Sequence, residues 1–109
     1  MSDDIPAAVA AYLEAKDGGA AGTVLDSFAH DAVVHDEGRD HIGTDAIRAW
    51  TDSISATYEL TRTVLGTRRS GAATLVRIRV AGNFPGSPVE LHQHFTVSEG
   101  RITALTICP

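Results

Sequence analysis

Cysteine is nearly absent from this chain. Cys108 stands alone, so no internal disulfide can form and core packing must hold the fold. Long apolar runs are missing too, and nothing approaches the roughly 20 residues that a membrane-spanning helix requires. Basic residues are scarce: nine Lys and Arg stand against 14 Asp and Glu, a formal net charge of −5. That balance argues against a nucleic-acid surface, which needs clustered cations to displace counterions, and against binding to an anionic membrane. The opening "MSDDIPAAV" lacks the basic stretch of a secretion signal, so the expected location is the cytoplasm. No repeat or low-complexity linker interrupts the chain, and one domain spanning residues 1–109 is expected.

What is present divides into two halves. Ile5, Val9, Tyr12 and Leu13 recur at helical spacing behind Asp3, Asp4 and Pro6, and Gly18 and Gly19 supply the stop. A second short helix is expected from Ala21, Val24, Leu25 and Phe28, which would share one face. "AVVHD" reads as a strand on its β-branching and brevity. A third helix is expected from Thr44, taken as its N-cap, through Ile47, Trp50 and Ile54. The second half alternates at period two over residues 58–65, 73–81, 89–97 and 102–107, with "GTRRSG", "GNFPGSP" and "SEG" as separators. Helices followed by an antiparallel meander make an α+β domain, with a concavity between the layers that is the default ligand site.

Five histidines make metal binding worth testing: His30, His35, His41, His92 and His94. "PGSPVELHQHFTVSE" resembles the first motif of the cupins, with His92 and His94 on one strand face and Glu99 after four intervening residues. A second such motif has no room in the ten residues after Glu99, and Gly100 marks a hairpin where a ligand-bearing strand would be needed. His35 and Asp36 are neighbours on a strand and point to opposite faces, so they cannot converge on one ion. Neither a metal nor any other cofactor is expected.

Asp36 is the more informative residue. It shares a strand face with Val34, while His35 takes the other. The carboxylate is either a solvated group at a rim or a base inside the cavity, where desolvation would make it a better proton acceptor.

The order of features bears on that choice. "AAYLEAKDGGAAGTVLDSFAHDAVVHDEG", then "HIGTDAIRAW" and the late "HFTVSEGRITAL", resembles the nuclear transport factor 2-like superfamily, specifically its SnoaL-like and ketosteroid isomerase-like members. The resemblance spans nearly the whole chain, and the "GNFPGSP" hairpin is similar to that of small bacterial members with no assigned reaction. It implies a cystatin-like cone: a curved antiparallel sheet packed against three N-terminal helices, usually dimerised through the outer sheet face, with a pocket inside. The isomerase's tyrosine donor is matched by Tyr12 and its aspartate base by Asp36. Its second, acidic donor is matched by Gln93, and two supporting tyrosines by Phe28 and Thr51. These departures make steroid isomerisation improbable, while an acid and a phenol converging on an apolar cavity survive.

The resemblance thus gives Asp36 and Tyr12 as catalytic candidates. Gln93, flanked by Leu91 and Phe95 on one strand face, needs a buried partner and is read as a binding residue. Trp50, whose simplest role is core filling, Phe28, Val34, Phe95, Leu105 and Ile107 complete the expected pocket. On this phase His92 and His94 face outward. Arg77 and Arg79 alternate with Val76, Ile78 and Val80, and lie outside if the apolar set faces in; the reversed phase would put an arginine beside Asp36. Three functions follow: a cofactor-free isomerase, cyclase or hydrolase acting on a small apolar substrate, a hydrophobic-ligand-binding protein, and a dimeric scaffold.

Overall fold

The computed structural model describes residues 5–18 and 24–109. Its elements run α1 (Ala7–Gly18), β1 (Phe28–Asp36), β2 (Arg39–Ile42), α2 (Thr44–Thr57), β3 (Leu60–Ser70), β4 (Ala73–Gly82), β5 (Val89–Ser98) and β6 (Arg101–Cys108). All six strands join one curved sheet in the order β2-β1-β6-β5-β4-β3. The architecture is α+β, with helices laid against the sheet.

Several details differ from expectation. The sheet is not wholly antiparallel: β1 and β6 run parallel, pairing Val33 with Ala104 and Val34 with Leu105. These strands are not linked by a hairpin; all the chain between them forms the crossover that a parallel pair needs. Two helices, not three, of more than one turn stand among the described residues. The start of the expected second helix, at Ala21, lies outside the described residues. Val24 and Leu25 close a helical turn, and Phe28 opens β1 by pairing with Ile102.

The stretch after Asp36 is a hairpin. Glu37 (φ 53°) and Gly38 (φ 74°) both take the left-handed conformation, as a two-residue turn matched to strand twist requires. Arg39 and Asp40 then pair with Asp36 and His35, and the His35 and Asp40 side chains are hydrogen-bonded at 2.6 Å. Likewise "GTRRSG" does not separate strands along its length. A bulge between Val64 and Gly66 absorbs one residue, and β3 continues to Ser70. Finally, Gly43 and not Thr44 caps α2, in a φ of 86° that suits glycine; its amide donates to the Ala32 carbonyl at 2.9 Å.

Burial settles the strand phase. In β4, Thr74, Val76, Ile78 and Val80 are buried and Arg77 and Arg79 are exposed, with Arg77 3.6 Å from Glu90 across the strand pair. The inner face of the sheet therefore carries Val34, Val76, Phe95, Ile102 and Leu105. These pack with Val9, Tyr12 and Ala15 of α1 and Ile47 and Trp50 of α2. Each large apolar side chain so buried contributes about 1.5–3 kcal/mol. The core fills one end of the space between helices and sheet, and the other end is open.

Candidate active site and ligand cavity

That open end is a cavity of about 550 Å³. Tyr12 and Lys16 of α1, Asp36 at the end of β1, and Trp50 and Ile54 of α2 form one side. Arg62, Val80, Leu91 and Gln93 from β3, β4 and β5, with Ile107 of β6, form the other. Tyr58 and Phe84 meet edge to face at 6.0 Å between centroids and also line it. The walls are mostly apolar, with a few convergent polar groups, which is the usual composition of a small-molecule site.

Of the residues picked from sequence, Tyr12, Asp36, Gln93, Trp50 and Ile107 meet on this one cavity. Phe28, Val34, Phe95 and Leu105 do not line it; they are core residues. Phe28 and Phe95 instead hold the Tyr12 ring edge-on, at centroid distances of 5.6 and 5.4 Å. Strand alternation sends all four inward, but the helices cover them, whereas Gln93 and Ile107 lie beyond that cover.

Trp50 does more than fill space. Its indole Nε1–H donates to Asp36 Oδ2 at 3.1 Å, orienting the carboxylate and leaving Oδ1 for another partner. The Tyr12 hydroxyl and the Gln93 Oε1 atom are buried without any hydrogen-bond partner. Buried polar atoms are normally paired, so two orphans lining one cavity, from its opposite sides, mark where a ligand's polar groups belong. Burial pushes the Tyr12 hydroxyl well above the usual phenol range, the Arg62 charge works against this, and the Asp36 charge adds to it. Tyr12 is thus a neutral donor at any physiological pH.

Sequence reasoning missed Lys16 and Arg62. Lys16 is only 8% exposed; its ammonium donates to Thr51 Oγ1 at 3.0 Å and lies 4.6 Å from the centre of the Trp50 ring. Arg62 Nη1 donates to the Lys16 carbonyl at 3.3 Å. Both positions were visible in principle. Lys16 lies one helical turn beyond Tyr12, and Arg62 shares a strand face with the half-buried Leu60.

Burial, then the Arg62 charge, lowers the Lys16 pKa to about 8, while Asp36 opposes the shift. The unfolded chain keeps this proton to about pH 10.4, so between those values it binds more protons than the folded chain. Stability is therefore expected to rise from pH 8 toward 10. Above 10 Tyr12 reverses the slope, because the unfolded phenol ionises and the buried one does not. Urea unfolding at pH 7.5 and 9.5 should show the rise in the wild type and not in Lys16→Met.

The histidines stand apart from the cavity wall. His92 pairs with Arg77 and His94 with Leu75 in the β4–β5 ladder, so both project from the face opposite Gln93. Among the described residues no group of three His, Cys, Asp or Glu side chains is placed to hold a metal ion. No helix among them is long and apolar enough to cross a membrane.

Helices over a curved sheet with a cavity at the open end define the fold class shared by nuclear transport factor 2-like and ketosteroid isomerase-like proteins. Residues 9–105 match the SnoaL-like domain family, and the chain belongs to it. No curated protein matches it in sequence. Among solved structures, a candidate polyketide cyclase of Sinorhizobium meliloti is 38% identical over 96% of both chains, with a TM-score of 0.93. A ketosteroid isomerase-like protein of Catenulispora acidiphila, solved with trimethylamine, is 20% identical over 97% of this chain and 87% of its own, with a TM-score of 0.85. The epoxide hydrolase/cyclase-like enzyme SalBIII, of pyran ring formation in the polyether salinomycin, is 19% identical over 92% and 85%, with a TM-score of 0.81. The last two likenesses speak for the fold alone.

Proposed function

We propose that this SnoaL-like protein is a cofactor-free isomerase- or cyclase-type enzyme in which Asp36 is the general base. The observation that carries the reading is the convergence of the Asp36 carboxylate with two unpartnered polar atoms, the Tyr12 hydroxyl and Gln93 Oε1, on one largely apolar cavity. Asp36, steadied by Trp50, removes a proton from a carbon next to a carbonyl. The Tyr12 hydroxyl donates to the oxygen on which negative charge develops, a contribution strengthened by the dry surroundings. Gln93 accepts from a hydroxyl elsewhere on the substrate. An enolate formed in this way either takes its proton back at another carbon or attacks a second carbonyl and closes a ring. Likeness to the Sinorhizobium meliloti protein, 38% identical, supports the cyclase branch. A homodimer joined through the outer sheet face, and a cytoplasmic location, belong to the same proposal.

Binding without catalysis would use the same two orphan atoms, so the test must read proton transfer directly. A benzisoxazole such as 5-nitrobenzisoxazole loses its C–H proton to a base and opens to a coloured cyanophenolate. Saturable turnover is expected, at least about 100-fold above that of acetate at equal concentration. A rate no higher than acetate's would leave only the non-catalytic ligand-binding reading.

A further inference from the structure

Four charged side chains line the cavity, Lys16 and Arg62 against Asp36 and the exposed Glu37. The ion pairs found among the described residues are His35–Asp40 and Arg77–Glu90, so neither cavity cation has a described carboxylate within 4 Å. Lys16 spends one donor on the Thr51 hydroxyl and rests on the Trp50 ring, and Arg62 gives one donor to a backbone carbonyl. These are neutral partners. Buried lysines are rare without a counter-charge, and a cation left so costs stability unless the site has a use for it.

We propose that Lys16 and Arg62 form a carboxylate-binding subsite in the wall of this cavity, and that the ligand is an organic acid with an apolar body. The ammonium keeps unused donors, and the guanidinium presents a planar fork suited to two carboxylate oxygens. Ile54, Val80, Leu91 and Ile107 provide the apolar wall for the body. Tyr12, one helical turn from Lys16 and without a hydrogen-bond partner, can donate to the same ligand. The forces on Lys16 agree. The Arg62 charge acts on it more strongly than the Asp36 charge does, and burial adds to the cost of the ammonium, which an incoming anion relieves. That the acid is the substrate of the Asp36 chemistry rests on the function proposed above; the subsite itself does not.

Binding also has a pH signature. The titratable and charged groups that line the cavity with Lys16 are Tyr12 on α1, Asp36 and Glu37 at the end of β1, Tyr58 just after α2, Arg62 on β3 and Cys108 on β6 next to Pro109, while α2 offers Lys16 the neutral Thr51 and Trp50. A carboxylate favours the ammonium form of Lys16, so its affinity should fall as pH rises through 8.

The experiment compares 2-naphthoate with 2-naphthamide, which differ in charge and little in shape, by titration calorimetry. Naphthoate is expected to bind at least about tenfold more tightly at pH 7. The preference should shrink between pH 7 and 9.5, measured in a Cys108→Ala background to remove the thiol. Lys16→Met and Arg62→Met should each reduce it, with amide affinity kept within about twofold. Equal affinity for the two probes overturns the subsite, as does a preference that survives Lys16→Met, and so does failure of both to bind. Asp36→Asn separates the two proposals. If benzisoxazole turnover proves independent of Asp36 while the naphthoate preference stands, the catalytic reading fails alone.

Discussion

Asp36→Asn is expected to slow benzisoxazole opening by about 10²–10⁴-fold, the usual contribution of a positioned general base. The substitution keeps shape, and the amide oxygen can still accept from the Trp50 indole, which holds the present carboxylate at 3.1 Å. It removes the ability to take a proton together with the negative charge that acts on Lys16 and Tyr12. Thermal unfolding should therefore shift little, since Asp36 is partly exposed and makes this one described hydrogen bond. The paired control is Tyr12→Phe, which leaves the base intact and removes a donor that no protein group engages. It should cost less, because benzisoxazole opening spreads charge where the phenol need not reach. A loss in Tyr12→Phe equal to that in Asp36→Asn would show that the two substitutions act by disturbing the cavity. Equal rates in wild type and Asp36→Asn would remove Asp36 from the chemistry.

The parts of this site that could be read from sequence are those whose period agrees with their role. Helical spacing put Tyr12 on the buried face of α1. Two-residue alternation put Asp36 with Val34, and Gln93 with Phe95, on the inner face of the sheet. Alternation reports which face a residue takes, but not how far along the strand the helix covering extends. Gln93 and Phe95 are two residues apart on one face, yet the first lines the cavity and the second lies in the core. The same limit explains why Val34 and Leu105 were expected at a pocket they do not reach, whereas Phe28 was expected there from the family resemblance. Lys16 and Arg62 escaped notice for another reason. A charge within an apolar stripe reads as an interruption of the stripe, and only the cavity, which is a tertiary feature, makes that interruption sensible. The β2 hairpin was hidden by composition, because Glu is uncommon in the left-handed conformation that Glu37 takes.

Phe95→Ala should cost about 3–5 kcal/mol, the range for removing a large aromatic side chain from a packed core. Phe95 is 1% exposed and sits where strand and helix layers meet, opposite Leu105 and Thr74 in the sheet and edge-on to Tyr12 at 5.4 Å. The lost transfer energy is joined by a cavity that cannot collapse, because the backbone on either side is fixed in the β4 and β6 ladders. For a chain of this length the midpoint of thermal unfolding should fall by about 15–25 °C. Phe84→Ala is the contrast. That ring is partly exposed at the cavity, with Tyr58 as its aromatic neighbour, and its loss should cost about 1 kcal/mol or less. The two variants separate seating of α1 from furnishing of the cavity. Phe95→Ala should also disturb the Tyr12 ring, so a lowered affinity for both naphthalene probes is expected at temperatures where the variant is still folded. Were Phe95→Ala to unfold within a few degrees of the wild type, α1 could not be held by the contacts that place Tyr12 over the cavity, and the phenol would lose its claim to the donor role.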